Sequence, residues 1–165
     1  MFAAIAAVDE DLGLGIDGHL QFHISDDLKR FRSLTKGHTV IYGRKTLETF
    51  PGAKPLPGRR NIILSRRPGF LVEGAEVVSS MEEAIALCEG EELTFVIGGA
   101  TVYKEFLPFT EALYLTRVHV HAPHDVSFPS FGDSFELISE SEVYTDEKTG
   151  LAYQFLDYKK KGPAV

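Results

Sequence analysis

Tryptophan is absent from this sequence of 165 residues, cysteine occurs once, and no stretch of 18 apolar residues appears. One thiol, Cys88, excludes an internal disulfide and suits a reducing compartment. The missing apolar run leaves no candidate transmembrane helix, and the first residues lack the charged-then-apolar order of an export signal. The expectation is a cytoplasmic protein with no membrane partner. Internal repeats and low-complexity linkers are missing too, so residues 1–165 read as a single domain, long enough to bury a core.

Basic residues are scarce, 17 against 24 acids, for a net charge of -7. That balance argues against a general nucleic-acid binder. The scarcity is uneven. Residues 44–67 hold Arg44, Lys45, Lys54, Arg59, Arg60, Arg66 and Arg67 against the one acid Glu48, a net +6 in a chain whose remainder is -13. A cationic patch on an acidic body favours a compact anionic ligand, because a polyanion would also meet the surrounding negative field. Between Leu71 and Glu92 lie seven glutamates and no base, which read as solvated faces and turns.

Apolar runs at 2–8 (FAAIAAV), 39–42 (TVIY), 61–65 (NIILS), 93–97 (LTFVI) and 113–118 (LYLTRV) have the character of strands buried on both faces. They alternate with helical patterns at 26–35, 45–50, 81–88 and 101–107, which indicates an α/β sheet with mostly parallel strands. From Phe135 the pattern changes. Residues 135–144 and 151–158, joined by TDEKTG, read as an antiparallel hairpin finishing a mixed sheet. The helix at 81–88 puts Met81, Ala84, Ile85 and Cys88 on one face, so the thiol is a core group rather than a nucleophile.

Gly13, Gly15 and Gly18 formally match the dinucleotide fingerprint G-x-G-x-x-G, but the context fails. Asp9 to Leu12 intervene after the first strand, residues 16–24 have no helical period, and HTVIYG ends without the expected acid. The glycines are better read as a loop that bends toward a ligand. Two other units suit phosphate. Each sends a buried strand through glycine into a helix start: Gly43 into Arg44, Lys45 and Thr46, and Gly98-Gly99 into Ala100, Thr101 and Val102. Free backbone donors at a helix amino end attract phosphate oxygens. A third strand end, Leu64-Ser65 followed by Arg66 and Arg67, offers a hydroxyl and two forked donors for an extra phosphate monoester, which favours NADPH over NADH.

The stretch from Ser25 to Thr35 carries the expected chemistry. With Ser25 as the cap, Asp27, Leu28, Phe31, Leu34 and Thr35 share an arc of roughly 120°, while Asp26, Lys29, Arg30, Arg32 and Ser33 take the opposite side. Asp27 is thus an unpaired acid on an apolar face.

Together with these features, GIDGHL, DDLKRFRSLT, VIYGRKTLE, PLPGRRNIILS, FVIGGATVY, LYLTRV and DVSFP occur in an order and at separations that resemble the dihydrofolate reductase family over nearly the whole chain. The resemblance implies an eight-stranded, mostly parallel sheet with four helices and a cleft beside an adenosine-binding part at roughly 39–90. It implies hydride transfer from NADPH to C6 of 7,8-dihydrofolate with protonation of N5, and a monomer. By the same resemblance Asp27 pairs with the pterin's amidine-like edge, Thr116 hydrogen-bonds Asp27 or a linking water, and Tyr103 lies near the nicotinamide. Ile5, Ala6, Ala7, Leu20 and Leu28 are implied as walls for the substrate rings, as are Phe31, Phe50, Leu56 and Ile97. Arg59 grips the glutamate α-carboxylate. Ala7, Leu14, Gly15 and Ile16 belong to the nicotinamide side, under a lid of which Leu20 is part. Gly98 and Gly99 match a pair joined by a cis peptide, and Asp125 matches an acid that tethers the lid.

The missing tryptophan bears on this likeness. Where the family usually has Pro-Trp, this chain has Gln21 and Phe22, so both the indole donor and the stiffness of proline are lost. His119, His121, His124 and Asp125 have a spacing a metal can use, but the resemblance implies no metal and none is expected. Two alternatives stand beside the main reading: a riboflavin-pathway pyrimidine reductase of the same fold, and a non-catalytic NADP-binding module.

Overall fold

The apolar runs become strands because other elements cover both of their faces. The computed structural model describes residues 1–162. Its first half contains β1 (Phe2–Val8), β2 (Gly13–Ile16), β3 (His19–Leu20), α1 (Ser25–Thr35), β4 (Thr39–Gly43), α2 (Arg44–Leu47), β5 (Arg60–Leu64) and β6 (Ala75–Val78). There follow α3 (Met81–Leu87), β7 (Thr94–Val96), α4 (Ala100–Phe106), β8 (Thr110–Val118), β9 (Val126–Ser127), β10 (Phe135–Glu140), β11 (Tyr144–Thr145) and β12 (Ala152–Lys160).

Eight strands form the main sheet in the order β10-β12-β8-β1-β7-β4-β5-β6, with the short β11 added on β12. Pairs from β8 to β6 are parallel, and β12 runs antiparallel to both β8 and β10. The mixed α/β sheet and its antiparallel end are therefore as expected. β1 lies in the middle and divides its side chains by parity. Ala3 and Ile5 join Val40, Tyr42, Ile63, Phe95 and Ile97 on one face, where Phe31 and Leu34 of α1 pack. Ala4, Ala6 and Val8 join Ile41, Ile62, Val96 and Leu113 on the other, under α3 and α4. The alanines keep β1 low, which leaves space above Ile5–Ala7.

Four local expectations need correction. Ser25 does not cap α1: the cap position is Ile24, whose carbonyl accepts from the Leu28 N–H, and Ser25 is the first helical residue. The helix expected to reach residue 50 is one turn long, Arg44–Leu47. Pro51 follows closely and disfavours the helical conformation just before it. The glutamate-rich stretch contains a strand, β6, and is not merely solvated. Glu76 and Glu91 hold the Arg60 guanidinium at 2.5 and 2.6 Å. Arg60 is thereby drawn out of the supposed ligand-binding patch.

The fourth correction concerns the glycine loop, which is a small sheet of its own in the order β3-β2-β9. Asp17 (φ 51°) and Gly18 (φ 78°) both take left-handed conformations at its tip. Two such residues in succession form the hairpin turn whose twist matches its strands, and Asp-Gly is a preferred sequence for it. At Gly15 a Cβ would lie 2.6 Å from the His19 carbonyl oxygen, so close strand approach requires glycine there.

Candidate active site

A cleft of about 1870 Å³ runs between α1, the β2–β3 hairpin and the ends of β4, β5 and β7. Ligand pockets usually measure about 300–1,000 Å³. This one has room for two ligands end to end.

Asp27 reaches it from the first turn of α1, on the side the helical arc predicts. Burial pushes its pKa up, and the Thr116 hydroxyl and the Arg30 charge pull only part of the way back. Thr116 Oγ1 donates to Asp27 Oδ1 at 2.6 Å. Thr116 stands on β8 opposite Ala7 of β1 and is 3% exposed, so it supports the acid from behind and does not itself wall the cleft. A Thr116→Val variant is expected to move the alkaline limb of the pH–rate profile upward, since the charged carboxylate loses its donor. Measuring the hydride-transfer rate against pH checks this.

The other expected wall residues converge as anticipated: Ile5, Ala6, Ala7, Leu28, Phe31, Phe50, Leu56 and Ile97 all border the cleft. Arg59 lies at its mouth, with Nε donating to Thr35 Oγ1 at 2.8 Å and Nη1 donating to the Pro57 carbonyl at 2.7 Å. Two bonds aim the guanidinium and leave donors on Nη1 and Nη2 for a ligand. Burial and the neighbouring Arg32 hold its pKa below the ordinary arginine value, as befits a cation that waits for an anion. The helical arc puts Arg32 on the far side of α1, yet it borders the cleft with Lys36 and Lys54. Long basic side chains bend back over apolar surface, which a wheel drawn through Cα atoms does not capture.

At the other end, Gly43 and Gly99 hold the cap positions of α2 and α4, and the Gly43 N–H donates to the Gly98 carbonyl at 2.9 Å. The Gly98-Gly99 peptide is cis, as the resemblance implies. Gly98 has φ 131°, and a Cβ there would sit 3.4 Å from Thr46 Oγ1 and 3.6 Å from the Tyr103 hydroxyl. The pair thus forms a backbone cradle that a side chain would fill. Arg44, Lys45, Thr46, Ala100, Thr101 and Val102 surround it, and Leu64, Ser65, Arg66 and Arg67 extend the cleft along the end of β5. Ser79, Ser80 and Met81 border the same end, a contribution sequence reasoning missed because only the tertiary fold brings α3's start beside β5. Tyr103 is buried, with its hydroxyl donating to the Ile5 carbonyl at 2.7 Å, and its pKa is raised by burial. It holds β1 and α4 at a fixed separation.

Leu14, Gly15, Ile16 and Leu20 border the cleft from the hairpin, with Leu20 51% exposed toward it. Asp125 Oδ2 accepts from the Asp17 N–H at 3.0 Å and the Asp125 N–H donates to the Gly15 carbonyl at 3.0 Å, so the tether expected at Asp125 is present.

A profile of the family described as dihydrofolate reductase matches residues 1–160. The chain belongs to the dihydrofolate reductase family. It is 39% identical to the dihydrofolate reductase of Bacillus subtilis (strain 168) over 162 residues, which cover 98% of this chain and 95% of that protein. Identity to the Neisseria gonorrhoeae dihydrofolate reductase is 39% over 157 residues, 95% of this chain and 96% of that one. A solved dihydrofolate reductase from Enterococcus faecalis complexed with NADP(H) superposes with a TM-score of 0.90 at 35% identity, covering 98% of this chain and 97% of that one. As a dihydrofolate reductase, the protein is an oxidoreductase that reduces dihydrofolate to tetrahydrofolate.

The histidines do not gather around a common centre. His119 Nδ1 lies 2.7 Å from Glu10 Oε1 and His121 Nδ1 2.8 Å from Asp11 Oδ2, so each binds the loop after β1, and no metal-holding group occurs among the described residues. Phe22, in place of the family's usual tryptophan, borders the cleft and packs against the cluster of Ile24, Val118 and Tyr153.

Proposed function

We propose that Asp27 is the proton-handling residue of this dihydrofolate reductase and that the cleft is divided in two about it. The observation that carries the reading is a raised-pKa acid, hydrogen-bonded by Thr116, in a cleft it shares with the apolar side chains Ile5, Leu28 and Phe31. Of the other acids on the cleft wall, Asp125 is committed to the hairpin and Glu105 lies on α4. Ile5, Ala6, Ala7, Leu28 and Phe31 hold the pterin, Phe50, Leu56 and Ile97 the benzoyl ring, and Arg59 the α-carboxylate. The residues of the second end fit NADPH: Gly43, Arg44, Lys45, Thr46 and Gly98 to Val102 for the pyrophosphate, and Leu64 to Arg67 for the adenosine and its phosphate. Ala7, Leu14, Gly15, Ile16, Leu20 and Tyr103 border the nicotinamide. NADPH, when bound there, supplies the hydride.

Asp27 accepts from the pterin's amidine-like edge and favours the proton that N5 takes as the hydride reaches C6. A carboxyl whose pKa is raised toward the working range is suited to that exchange. The apolar walls exclude water from the ring, and Leu20 covers it. Residues 39–90 act as the adenosine-binding part, and the reductase works as the monomer that the family resemblance implies. We place it in the cytoplasm, which a lone reduced thiol suits.

The test is spectroscopic. Absorbance of reduced nicotinamide is expected to fall only when dihydrofolate is added to protein and NADPH together. A protein that binds NADPH with no fall sinks the reading in favour of a binding module. One that instead reduces a riboflavin-pathway pyrimidine restores the other alternative.

A further inference from the structure

The end of β1, the base of the hairpin and the segment after β8 meet at one carboxylate. Asp9 is 1% exposed. Its Oδ1 accepts from the Asp11 and Gly13 N–H groups, both at 2.8 Å, and its Oδ2 accepts from the Ala122 N–H at 3.1 Å and from Gln21 Nε2 at 3.2 Å. Burial alone would push its pKa up, but these donors outweigh that and hold it below the usual carboxylate value. Asp9 is thus a fixed anion, closed in so tightly that a Cβ at Gly13 would come within 2.9 Å of it.

Gln21 is the side chain that joins the hairpin to this anion. Its Nε2 also donates to the Pro123 carbonyl at 3.0 Å. Oxygen acceptors on either side fix the orientation of the amide. That orientation strands its Oε1, the one buried side-chain oxygen or nitrogen among the described residues with no partner. An orphaned buried acceptor is unfavourable, so the bonds from Nε2, which also reaches the Ala122 carbonyl at 3.5 Å, outweigh it. Gln21 immediately follows Leu20, and the hairpin's opposite end is held separately at Asp125.

We propose that Gln21 is a positioning residue: by donating to Asp9 and Pro123 it fixes the base of the hairpin so that Leu20 lies over the cofactor, and it thereby sets NADPH affinity and the rate of hydride transfer. This rests on the reading of Leu20 as part of a lid on the nicotinamide. A proline, which the family usually carries there, has no such donor and restricts the chain only through its ring. Here a side-chain bond takes over that task. The charged and titratable groups around Asp9 are Glu10 with Arg117 and His119, Asp11 with His121, and His124, whose Nδ1 is 3.7 Å from Asp9 Oδ2.

Two substitutions test the proposal. Gln21→Met keeps the length and removes the donor, and is expected to weaken NADPH binding roughly tenfold, more than it weakens dihydrofolate binding to the free enzyme. Single-turnover hydride transfer should slow by a similar factor. Gln21→Glu sets a second carboxyl against Asp9. At pH 8 the two anions repel, and NADPH binding is expected to be at least about tenfold weaker than wild type. At pH 5 the introduced carboxyl takes up a proton, donates to Asp9 and restores binding to near the wild-type value. Taking the ratio to wild type at each pH cancels the titration of the nearby histidines and of NADPH itself. The low-pH rescue also shows that the variant is folded. A Gln21→Met variant that binds NADPH like wild type, or a Gln21→Glu ratio that stays flat with pH, overturns the proposal. Wild-type protein that fails to bind NADPH at all overturns the cofactor-site reading on which it rests.

Discussion

The Asp27→Asn variant is expected to turn over about 10²–10⁴ times more slowly than the wild type at pH 7, the span over which a positioned proton-transfer group acts. NADPH affinity should stay within about twofold, because the side chain belongs to the substrate end. The deficit should narrow as the pH falls, since the solvent then protonates the substrate directly. Stability moves the opposite way. Burial makes the Asp27 carboxyl harder to ionise in the folded chain than in the unfolded one. Its contribution to stability is therefore fully present below the unfolded pKa and lost as the pH rises through the higher folded value. Asparagine suffers no such loss, so the variant should melt at a higher temperature than wild type at pH 8 and show less advantage at pH 5. Rapid-quench kinetics and thermal melts across that range measure both. Near-normal turnover at pH 7 would remove Asp27 from the proton path.

Arg59→Ala is expected to raise the KM for dihydrofolate about 10- to 100-fold, in line with the loss of charge-assisted hydrogen bonds, while kcat changes little more than about threefold. Hydrogen bonds to Thr35 and Pro57 aim the guanidinium, so Arg59→Lys should recover only part of the loss: lysine is a point charge and cannot make those bonds and a fork together. Dihydropteroate, which lacks the glutamate, supplies the control. It should be handled equally by wild type and by Arg59→Ala, and an equal loss on both substrates would show that Arg59 serves the fold and not the carboxylate.

Asp27 was legible from the sequence because a helical arc is a local property, and its acid stood out against Leu28, Phe31 and Leu34. The partner that tunes it was not legible from spacing, since Thr116 depends on the register between β1 and β8; only the family likeness pointed to it. Asp17-Gly18 carried a hairpin signal, but two strands of four and two residues are too short to show a period, so the glycines looked like open loop. β6 was hidden for a related reason. A short edge strand alternates exposed and covered residues, and among glutamates the alternation resembles a solvated turn. Composition alone counted Arg60 with the ligand-binding cations, and only the pairing of β5 with β6 shows it spent on Glu76 and Glu91.

The solitary thiol has a consequence for how this enzyme meets oxidants and electrophiles. Cys88 is 7% exposed at the end of α3, and burial pushes its pKa up, so it remains a protonated, sheltered group. Sulfur chemistry needs an accessible thiolate. A reagent therefore modifies the native protein only during moments when α3 lifts from the sheet, and the modification rate becomes a clock for that local opening. With no second sulfhydryl to confuse the signal, the chain carries its own gauge of breathing on the side of the sheet that α3 covers.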